Sequence, residues 1–388
     1  MIASSTDRPE PLIDQVRAAA ASRSPLRIVG GNSKSFYGQA TPGQVLDTRL
    51  WRGITSYEPS ELVVTARAGT PLVELEALLA TQGQYLPFDP PHYGPDSTVG
   101  GMVAAGLSGP ARASVGSVRD FVLGVQLING SGEWLTFGGQ VIKNVAGYDV
   151  SRLMVGSMGT LGVVTDVSLK VLPLPLAEAT LVFSLPQHEA LEQLHRWGAQ
   201  PLPLNASCWV RDASQPDAPE LLFVRLRGAR AAVQWAVDRI CREAGGGQRI
   251  DNAQAGADWA ACADQRLPFF RPAQLESADQ TDRSLCLWRL SVPATAPVLH
   301  LPGPLAAAPQ MIEWHGAQRW LWASFSAAAE LRAAAAAVGG HACLFRAGAD
   351  GAADVPRWDR QSPTLAAIEQ RLRACFDPFS IFNPGRMI

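Results

Sequence analysis

The sequence predicts an α+β protein with two main domains, and three observations lead to this expectation. Its 388 residues exceed the usual length of one domain, which is about 100–200 residues. In the first half, short strand-like runs and capped helices do not alternate regularly, so a parallel α/β sheet is not favoured. From residue 177 onward, strand-like runs are interleaved with helical segments, which indicates an antiparallel sheet with helices on one face.

Local signals predict the elements of the first half in order. The segment "PLIDQVRAAAAS" has the spacing of a short amphipathic helix, and "PLRIVGG" is typical of a strand that runs into a tight turn. The segment "LVVTARAGT" alternates like a strand. For the helix "LVELEALLATQ" that follows, Thr70 suits the N-cap, Pro71 the first helical position and Gly83 the position after the end.

The second half begins after a proline-rich break near residue 175. Strands are predicted at "ATLVFSL", "LLFVRLRG", "CLWRLSVP", "RWLWASFS" and "HACLFRA", and helices at "HEALEQLHRWGA", "AAVQWAVDRICREAGG" and "AAAELRAAAAAV". Residues 251 to 284 are expected to form an irregular insert. The expected domains are residues 1–176, residues 177–350, and a C-terminal segment, residues 351–388, that folds back on the first domain.

The composition is typical of a soluble globular protein, with 47% hydrophobic and 18% charged residues. The net charge is −2 and the 33 Lys and Arg residues are scattered, so a nucleic-acid partner is not expected. The chain contains no run of about 20 apolar residues and no signal peptide at its charged N-terminus. We therefore expect a cytoplasmic protein without a transmembrane segment.

The cysteines give no sign of a metal site. All six lie after residue 207, and none forms a Cys-x-x-Cys pair, so neither an iron–sulfur cluster nor a zinc ion has its usual ligand spacing. They are interpreted as small buried thiols in a reducing compartment. No metal ligand is expected on this chain.

Glycine-rich loops are the strongest functional signal. Both the Gly-x-Gly-x-x-Gly fingerprint and the P-loop motif are absent, but "GGNSKS", "STVGGMVAAGLSG" and "GSMGTLGVV" are all small and polar. Turns of this kind present several backbone N–H groups to an anion such as a pyrophosphate. Three of them are enough for a dinucleotide, although a bulged hairpin also explains the glycines of the third loop.

The same loops resemble those of the flavoproteins related to vanillyl-alcohol oxidase and p-cresol methylhydroxylase. In that family, "GGNSKSFYG", "STVGG" and "KNVAGYDVSRLMVGSMGTLGVVT" correspond to the pyrophosphate loop, the central FAD loop and the closing FAD segment. The resemblance covers about residues 10 to 175. It implies FAD and a two-subdomain FAD-binding fold of the p-cresol methylhydroxylase type, followed by an antiparallel α+β cap domain.

The resemblance also assigns FAD contacts. The first loop would meet the pyrophosphate, the second would pass the isoalloxazine, and the closing strand would hold the adenosine side. For Lys34, a role as a solvated loop lysine is an equal alternative to a phosphate contact. For Tyr148, packing of the ring on a turn is an alternative to a contact with FAD. The residues expected to contact FAD are Gly30, Gly31, Asn32, Ser33, Lys34, Ser35, Ser97, Thr98, Val99, Gly100, Gly101, Ala104, Ala105, Gly106, Tyr148, Gly159, Gly162 and Val163.

Departures from the family limit what is implied about catalysis. Relatives that oxidise 2-hydroxy acids carry a late His-x-Gly-Asp-Gly-Asn segment, whereas this chain has "HACLFRAGADGAADV", in which Asp350-Gly351 is interpreted as a surface turn. Catalytic residues therefore stay unknown. The first loop has Asn32 and Ser33 where the family can carry a tethering histidine, so FAD is expected to be non-covalent.

Few other residues are candidates for substrate chemistry. The six histidines are isolated in the sequence. His92, the one nearest the expected flavin, is interpreted as a solvent-facing loop residue. Arg225 or Arg346 could bind a carboxylate, but lone strand arginines are usually solvated or ion-paired.

Three functions stay open. The ending "FDPFSIFNPGRM" and the domain lengths are similar to the FAD-binding E subunits of bacterial glycolate oxidase. This similarity implies a complex that oxidises glycolate, a 2-hydroxy acid, to glyoxylate and passes electrons onward. Its partners would be a sister FAD-containing catalytic subunit and an iron–sulfur subunit, and the complex could associate peripherally with the inner membrane. The alternatives are a self-sufficient FAD-dependent 2-hydroxy-acid dehydrogenase and a non-catalytic scaffold.

Overall fold

The computed structural model describes residues 7–139, 148–211, 219–271, 284–348 and 355–387. The chain divides into two compact units. Unit 1 comprises Met1–Ser108, Gly116–Leu174 and Arg360–Ile388, and unit 2 comprises Gly109–Val115 and Pro175–Asp359. Within the described ranges, no helix is both long and apolar enough to cross a bilayer. The expected domain boundaries, 1–176, 177–350 and 351–388, stay a prediction.

Helices and strands are numbered in chain order. The helices are α1 (Glu10–Ser22), α2 (Leu72–Ala80), α3 (Val99–Ala105), α4 (Arg112–Val115), α5 (Val118–Phe121), α6 (Val150–Leu153), α7 (Gln187–Gly198), α8 (Arg230–Glu243), α9 (Asn252–Ala263), α10 (Ala328–Ala337) and α11 (Pro363–Phe376). The strands are β1 (Leu26–Val29), β2 (Gln44–Asp47), β3 (Ile54–Glu58), β4 (Val63–Arg67), β5 (Gln84–Tyr85), β6 (Val122–Ile128), β7 (Trp134–Gly138), β8 (Val163–Lys170), β9 (Leu172–Pro173), β10 (Ala177–Ser184), β11 (Leu204–Arg211), β12 (Leu221–Gly228), β13 (Gln248–Ile250), β14 (Leu285–Ser291), β15 (Gln310–Glu313), β16 (Gln318–Ser324) and β17 (His341–Arg346).

Unit 1 combines a small parallel pair with a larger antiparallel sheet. Strands β1 and β2 pair in parallel, and the five-stranded sheet has the order β3-β4-β8-β6-β7 with antiparallel neighbours. The apolar stripe of α1, which includes Ile13 and Val16, packs with Leu26 of β1 and Val163 of β8. This shared core holds the end of β1, and the loop after it, against the larger sheet.

The helix α2 begins differently from the sequence expectation. Pro71 is its N-cap residue rather than its first helical residue. The Thr70 hydroxyl does not cap the helix, because it exchanges hydrogen bonds with the backbone of Gly53, at 2.9 Å from the nitrogen and 3.1 Å from the oxygen. The N-cap prediction for Thr70 is therefore wrong, since a partner distant in sequence competes for the hydroxyl.

Unit 2 is built on one eight-stranded sheet with the order β13-β10-β12-β11-β15-β16-β14-β17. All of its strand pairs are antiparallel. Helices α7 and α8 cover part of one face through residues at helical spacing, such as Leu191, Leu194 and Ile240. A second cluster joins α10 to β14, β16 and β17. The predicted α+β class with an antiparallel second sheet is confirmed.

Part of the expected irregular insert is a helix. Residues 252–263 form α9, and the Asp251 side chain accepts hydrogen bonds from the backbone N–H groups of Ala253 and Gln254. Trp259 Nε1 donates to Thr180 Oγ1 over 3.0 Å. Adjacent residues of β10 point to opposite faces of the sheet. The residues on either side of Thr180 pack with α7 and α8, so Thr180 and the helix α9 lie on the other face. Residues 272–283 of the expected insert lie outside the described residues.

His315 joins the short Gly109–Val115 segment to the sheet of unit 2. Its Nε2 lies 2.8 Å from Ser114 Oγ, and its Nδ1 lies 3.0 Å from Ser207 Oγ. The neighbouring Trp314 donates its indole N–H to the carbonyl of the first residue of the segment, over 2.9 Å. Burial lowers the pKa of His315 from 6.5 to about 4, so the ring is neutral at neutral pH.

We expect acid to weaken unit 2 through His315. A base whose pKa is lowered on folding contributes stability that is complete above its unfolded pKa of 6.5 and is lost as the pH falls through about 4. The free energy of unfolding, measured with urea at several pH values in this window, should fall less steeply in His315→Gln than in the parent. The matched control is His188→Gln, since that side chain is 64% exposed. Equal slopes for the parent and His315→Gln would contradict this role.

Candidate functional site

A cavity of about 130 Å³ lies in unit 1 where the glycine-rich loops converge. It is bordered by the end of β1, the loop that follows, α3, the Met158 turn and the C-terminal tail. Its lining residues are Arg27, Ile28, Val29, Gly30, Gly31, Asn32, Ser33, Lys34, Ser35, Thr41, Thr98, Gly101, Ala104, Ala105, Met158, Asn383 and Arg386.

The expected FAD contacts fall into two groups. The whole first loop, Gly30–Ser35, lines the cavity together with Thr98, Gly101, Ala104 and Ala105. The other expected residues do not border the cavity. These are Ser97, Val99, Gly100, Gly106, Tyr148, Gly159, Gly162 and Val163.

The first loop packs directly on the backbone that precedes α3. A Cβ atom on Gly31 would lie 1.5 Å from the Asp96 carbonyl oxygen, and one on Gly30 would lie 2.5 Å from Thr98 Oγ1. The same Thr98 oxygen accepts a hydrogen bond from the Gly101 nitrogen over 3.2 Å and so caps α3. Only glycine allows this approach at position 31, because the obstructing atom is a backbone oxygen.

Lys34 links the first two loops from inside the protein. Its residue surface is 8% exposed, and its Nζ donates to Ser97 Oγ over 2.9 Å and to the His92 carbonyl over 3.2 Å. The interpretation of Lys34 as a solvated loop lysine is therefore wrong. Sequence alone could not show this, because Ser97 is 63 positions away. Lys34 also borders the cavity, where its charge favours an anion.

Two of the three glycines of the third loop leave no room for a side chain, whereas a Cβ on Gly156 would meet nothing within 4 Å. A Cβ on Gly159 would lie 2.7 Å from Asn383 Nδ2, and one on Gly162 would lie 2.9 Å from the Ile128 carbonyl oxygen. Gly162 also has a φ of +153°, which side-chain-bearing residues rarely adopt. Close approach of protein backbone therefore explains Gly162. A contact between Gly162 and FAD stays a prediction, and Gly147 lies outside the described residues.

Gly106 and Gly100 are also explained by close packing. Gly106 ends α3 with a φ of +64°, and its Cβ would lie 2.8 Å from the Gly156 Cα. A Cβ on Gly100 would lie 2.6 Å from the Ala68 Cβ. The second and third loops thus meet at a contact between two glycine residues.

Seven lining residues were missed by sequence reasoning, namely Arg27, Ile28 and Val29 of β1 together with Thr41, Met158, Asn383 and Arg386. Met158 has a φ of +51°, and its nitrogen donates to the Ala104 carbonyl over 2.8 Å. Asn383 and Arg386 come from the C-terminal tail. The turn residues of "FNPGRM" were the available signal, but a turn does not show which distant segment it reaches.

The groups around the cavity fit an anion. Three basic residues line it, Arg27, Lys34 and Arg386, together with the hydroxyl groups of serine and threonine. No aspartate or glutamate is among the described lining residues. A diphosphate needs this combination of positive charge, hydroxyl donors and glycine backbone.

Other candidates from the sequence do not border the cavity or lie outside the described residues. The His92 side chain is 18% exposed and lies 3.1 Å from Glu76, so its interpretation as solvent-facing is wrong. In unit 2, Arg225 is 2% exposed, donates to Asn205 Oδ1 over 2.6 Å and stacks on Trp259. Tyr148 is 97% exposed. Asp350-Gly351 lies outside the described residues.

Among the described residues, the remaining titratable groups do not form a metal site. Across the described ranges, no group of three or more His, Cys, Asp or Glu residues is arranged to hold a metal ion. Four of the six cysteines are buried free thiols, at 208, 262, 286 and 343, while Cys375 is exposed.

We expect Gly31→Ala to disrupt the cavity. The added Cβ would overlap the Asp96 carbonyl oxygen, so the first loop must move away from the residues before α3. The melting temperature should fall and FAD should be lost from the folded protein, as measured by calorimetry and by flavin absorbance per folded chain. Gly256→Ala is the control, because its Cβ meets nothing within 4 Å. Unchanged flavin content in Gly31→Ala would contradict the role of this contact.

Comparisons with known proteins agree with the fold and the loops. Residues 6–138 match the family model described as "FAD binding domain". The chain is 45% identical over 381 residues to glycolate oxidase subunit GlcE of Escherichia coli (strain K12), which is 98% of this chain and 97% of that protein. It is 32% identical over 155 residues to glycolate oxidase subunit GlcD of Bacillus subtilis (strain 168), or 39% of this chain and 33% of that protein.

The fold is also similar to a solved structure of alkyldihydroxyacetonephosphate synthase. The TM-score is 0.66 with 16% identity, over 97% of this chain and 74% of that chain. This likeness supports the fold alone. From the full-length similarity to GlcE, together with the matched FAD-binding domain, the chain belongs to the family of FAD-binding glycolate oxidase subunits.

Proposed function

We propose that this chain is the FAD-binding subunit of a multi-subunit glycolate oxidase or dehydrogenase. The similarity to GlcE over 98% of the chain carries this proposal. The complex oxidises glycolate to glyoxylate, which removes two electrons and two protons, and passes the electrons onward. Its other members are a sister FAD-containing catalytic subunit, of which GlcD is a relative, and an iron–sulfur subunit. A cytoplasmic location, with peripheral association to the inner membrane, stays a prediction.

The cavity of unit 1 would hold the pyrophosphate of FAD. Backbone N–H groups of Gly30–Lys34 and the Ser35 hydroxyl are the proposed donors, and the charges of Lys34 and Arg386 offset those of the two phosphates. When bound, FAD supplies the acceptor for a hydride from a 2-hydroxy acid. The chain's own contribution is to bind and orient this group. The expected FAD contacts that do not border the cavity, including Gly162 and Val163 of the closing strand, remain part of this proposal.

The proposal assigns the chemistry on glycolate to the assembled complex. Oxidation of a 2-hydroxy acid needs a base near the hydroxyl and a cationic group for the carboxylate. Arg225 is bound to Asn205 and Trp259, and Arg346 donates to Gln265 Oε1 over 3.1 Å. These arginines serve contacts within unit 2. The self-sufficient enzyme is therefore the weaker alternative.

We expect FAD to be bound without a covalent bond. No histidine, cysteine or tyrosine is among the described residues that line the cavity, so the usual tethering side chains are missing there. Precipitation of the purified chain with acid should release yellow FAD into the supernatant. Flavin that stays in the pellet would show a covalent bond, and a colourless native protein would favour the scaffold alternative.

We also expect the isolated chain not to oxidise glycolate at a useful rate. The flavin-loaded chain is mixed with glycolate or D-lactate without oxygen, and the visible flavin absorbance is followed. The absorbance should persist, and it should bleach only after the sister flavoprotein is added. Rapid bleaching without a partner would refute the subunit proposal and favour the self-sufficient enzyme.

A further inference from the structure

The C-terminal tail reaches the cavity through a tightly hydrogen-bonded turn. The Asp377 side chain accepts from the Ile381 nitrogen over 3.1 Å and from the Phe382 nitrogen over 2.8 Å. The tail then pairs with Leu26 of β1. The Leu26 nitrogen donates to the Ile381 carbonyl over 2.7 Å, and the Asn383 nitrogen donates to the Leu26 carbonyl over 2.9 Å. The tail therefore lies along β1, which continues directly into the first glycine loop.

The carboxamide of Asn383 connects two loops of the cavity. Its Oδ1 accepts from the Ile28 nitrogen over 2.9 Å, and its Nδ2 donates to the Met158 carbonyl over 2.7 Å. Asn383 is 6% exposed, and both Ile28 and Met158 border the cavity. One planar group thus fixes the spacing between the end of β1 and the Met158 turn. An aspartate would keep the acceptor but would place an oxygen against the Met158 carbonyl.

Arg386 fixes the far side of the first loop. Its Nη1 donates to the Gln39 carbonyl over 2.7 Å, and its Nη2 donates to the carbonyls of Lys34 and Ser35 over 3.3 and 3.0 Å. A guanidinium can hold several carbonyl groups in one plane, whereas a lysine ammonium cannot reproduce this geometry. The tail therefore contacts the first loop on both sides of its glycines.

We propose that Asn383 is a positioning residue for FAD, with Arg386 as its companion, because the two hold the first loop and the Met158 turn in the geometry that accepts the pyrophosphate. This inference rests on the proposed FAD-binding function. It assigns part of the cofactor affinity to residues about 350 positions away in sequence from the loop they support, and it does not require the tail to touch the flavin ring.

The test measures FAD affinity and stability in the same variants. The full chain is freed of flavin and titrated with FAD, with flavin fluorescence as the signal, and melting temperatures are recorded without FAD. Asn383→Asp should weaken FAD binding by about tenfold or more, because a buried donor is lost beside the cavity. The control is Asn129→Asp, since Asn129 is 8% exposed, lies in unit 1 and borders none of the cavity. This variant should lose stability while keeping the parent affinity.

A second variant covers the case in which Asn383→Asp does not fold. Arg386→Lys keeps the positive charge but loses the planar contacts, so it should also weaken FAD binding, by about threefold or more. Parent affinity in the folded Asn383→Asp protein would overturn the inference, and so would parent affinity in Arg386→Lys if the first variant fails to fold. Equal losses of affinity in Asn383→Asp and Asn129→Asp would also overturn it. If the parent itself does not bind FAD, the proposed function fails instead.

Discussion

The position of β1 between two neighbours is the constraint on which the rest of the candidate site depends. This strand has four residues, with β2 on one side and the tail on the other. A strand this short has few hydrogen bonds of its own. Its neighbours therefore determine the position at which the strand ends, at Val29, and the first loop begins, at Gly30. The loop that follows then meets the backbone at Asp96 without room for a Cβ. A shift of β1 would therefore displace the first loop relative to the backbone that precedes α3.

Electrostatic interactions and close packing have different roles at the cavity. The positive charges of Lys34 and Arg386 are held by hydroxyl and carbonyl oxygens of neighbouring loops. These acceptors are neutral oxygen atoms, so the hydrogen bonds fix the side chains without themselves cancelling the charge. The absence of aspartate and glutamate from the described lining therefore matters for an anion. The glycines at positions 31, 106 and 162 instead allow the protein segments around the cavity to pack closely.

Local sequence signals were sufficient for much of the fold and for the convergence of the loops. The spacing of Leu191 and Leu194 predicts α7, and the glycine-rich segments predict that Gly30–Ser35 and Thr98 belong to one site. Failures occurred where a partner distant in sequence decides the outcome. The hydroxyl of Thr70 bonds to Gly53 instead of capping α2, and the charge of Lys34 is buried beside Ser97. The α9 helix had local signals in the Asp251 N-cap and in its alanine content, since alanine favours helices, and the prediction of an irregular insert overlooked both.

The second face of the sheet in unit 2 is relevant to the question of whether its buried polar groups could act on a substrate. Helix α9 covers part of this face, and next to it the rings of Phe270, Trp320 and Phe345 pack edge to face at 5.8 and 4.9 Å. Trp320 Nε1 donates to Glu313, a carboxylate that is 3% exposed. A residue that must take a proton from a substrate has to reach it, whereas this carboxylate serves buried donors of its own unit. Glu313 therefore serves the internal packing of unit 2, which supports the proposal that the reaction on glycolate is completed in the assembled complex.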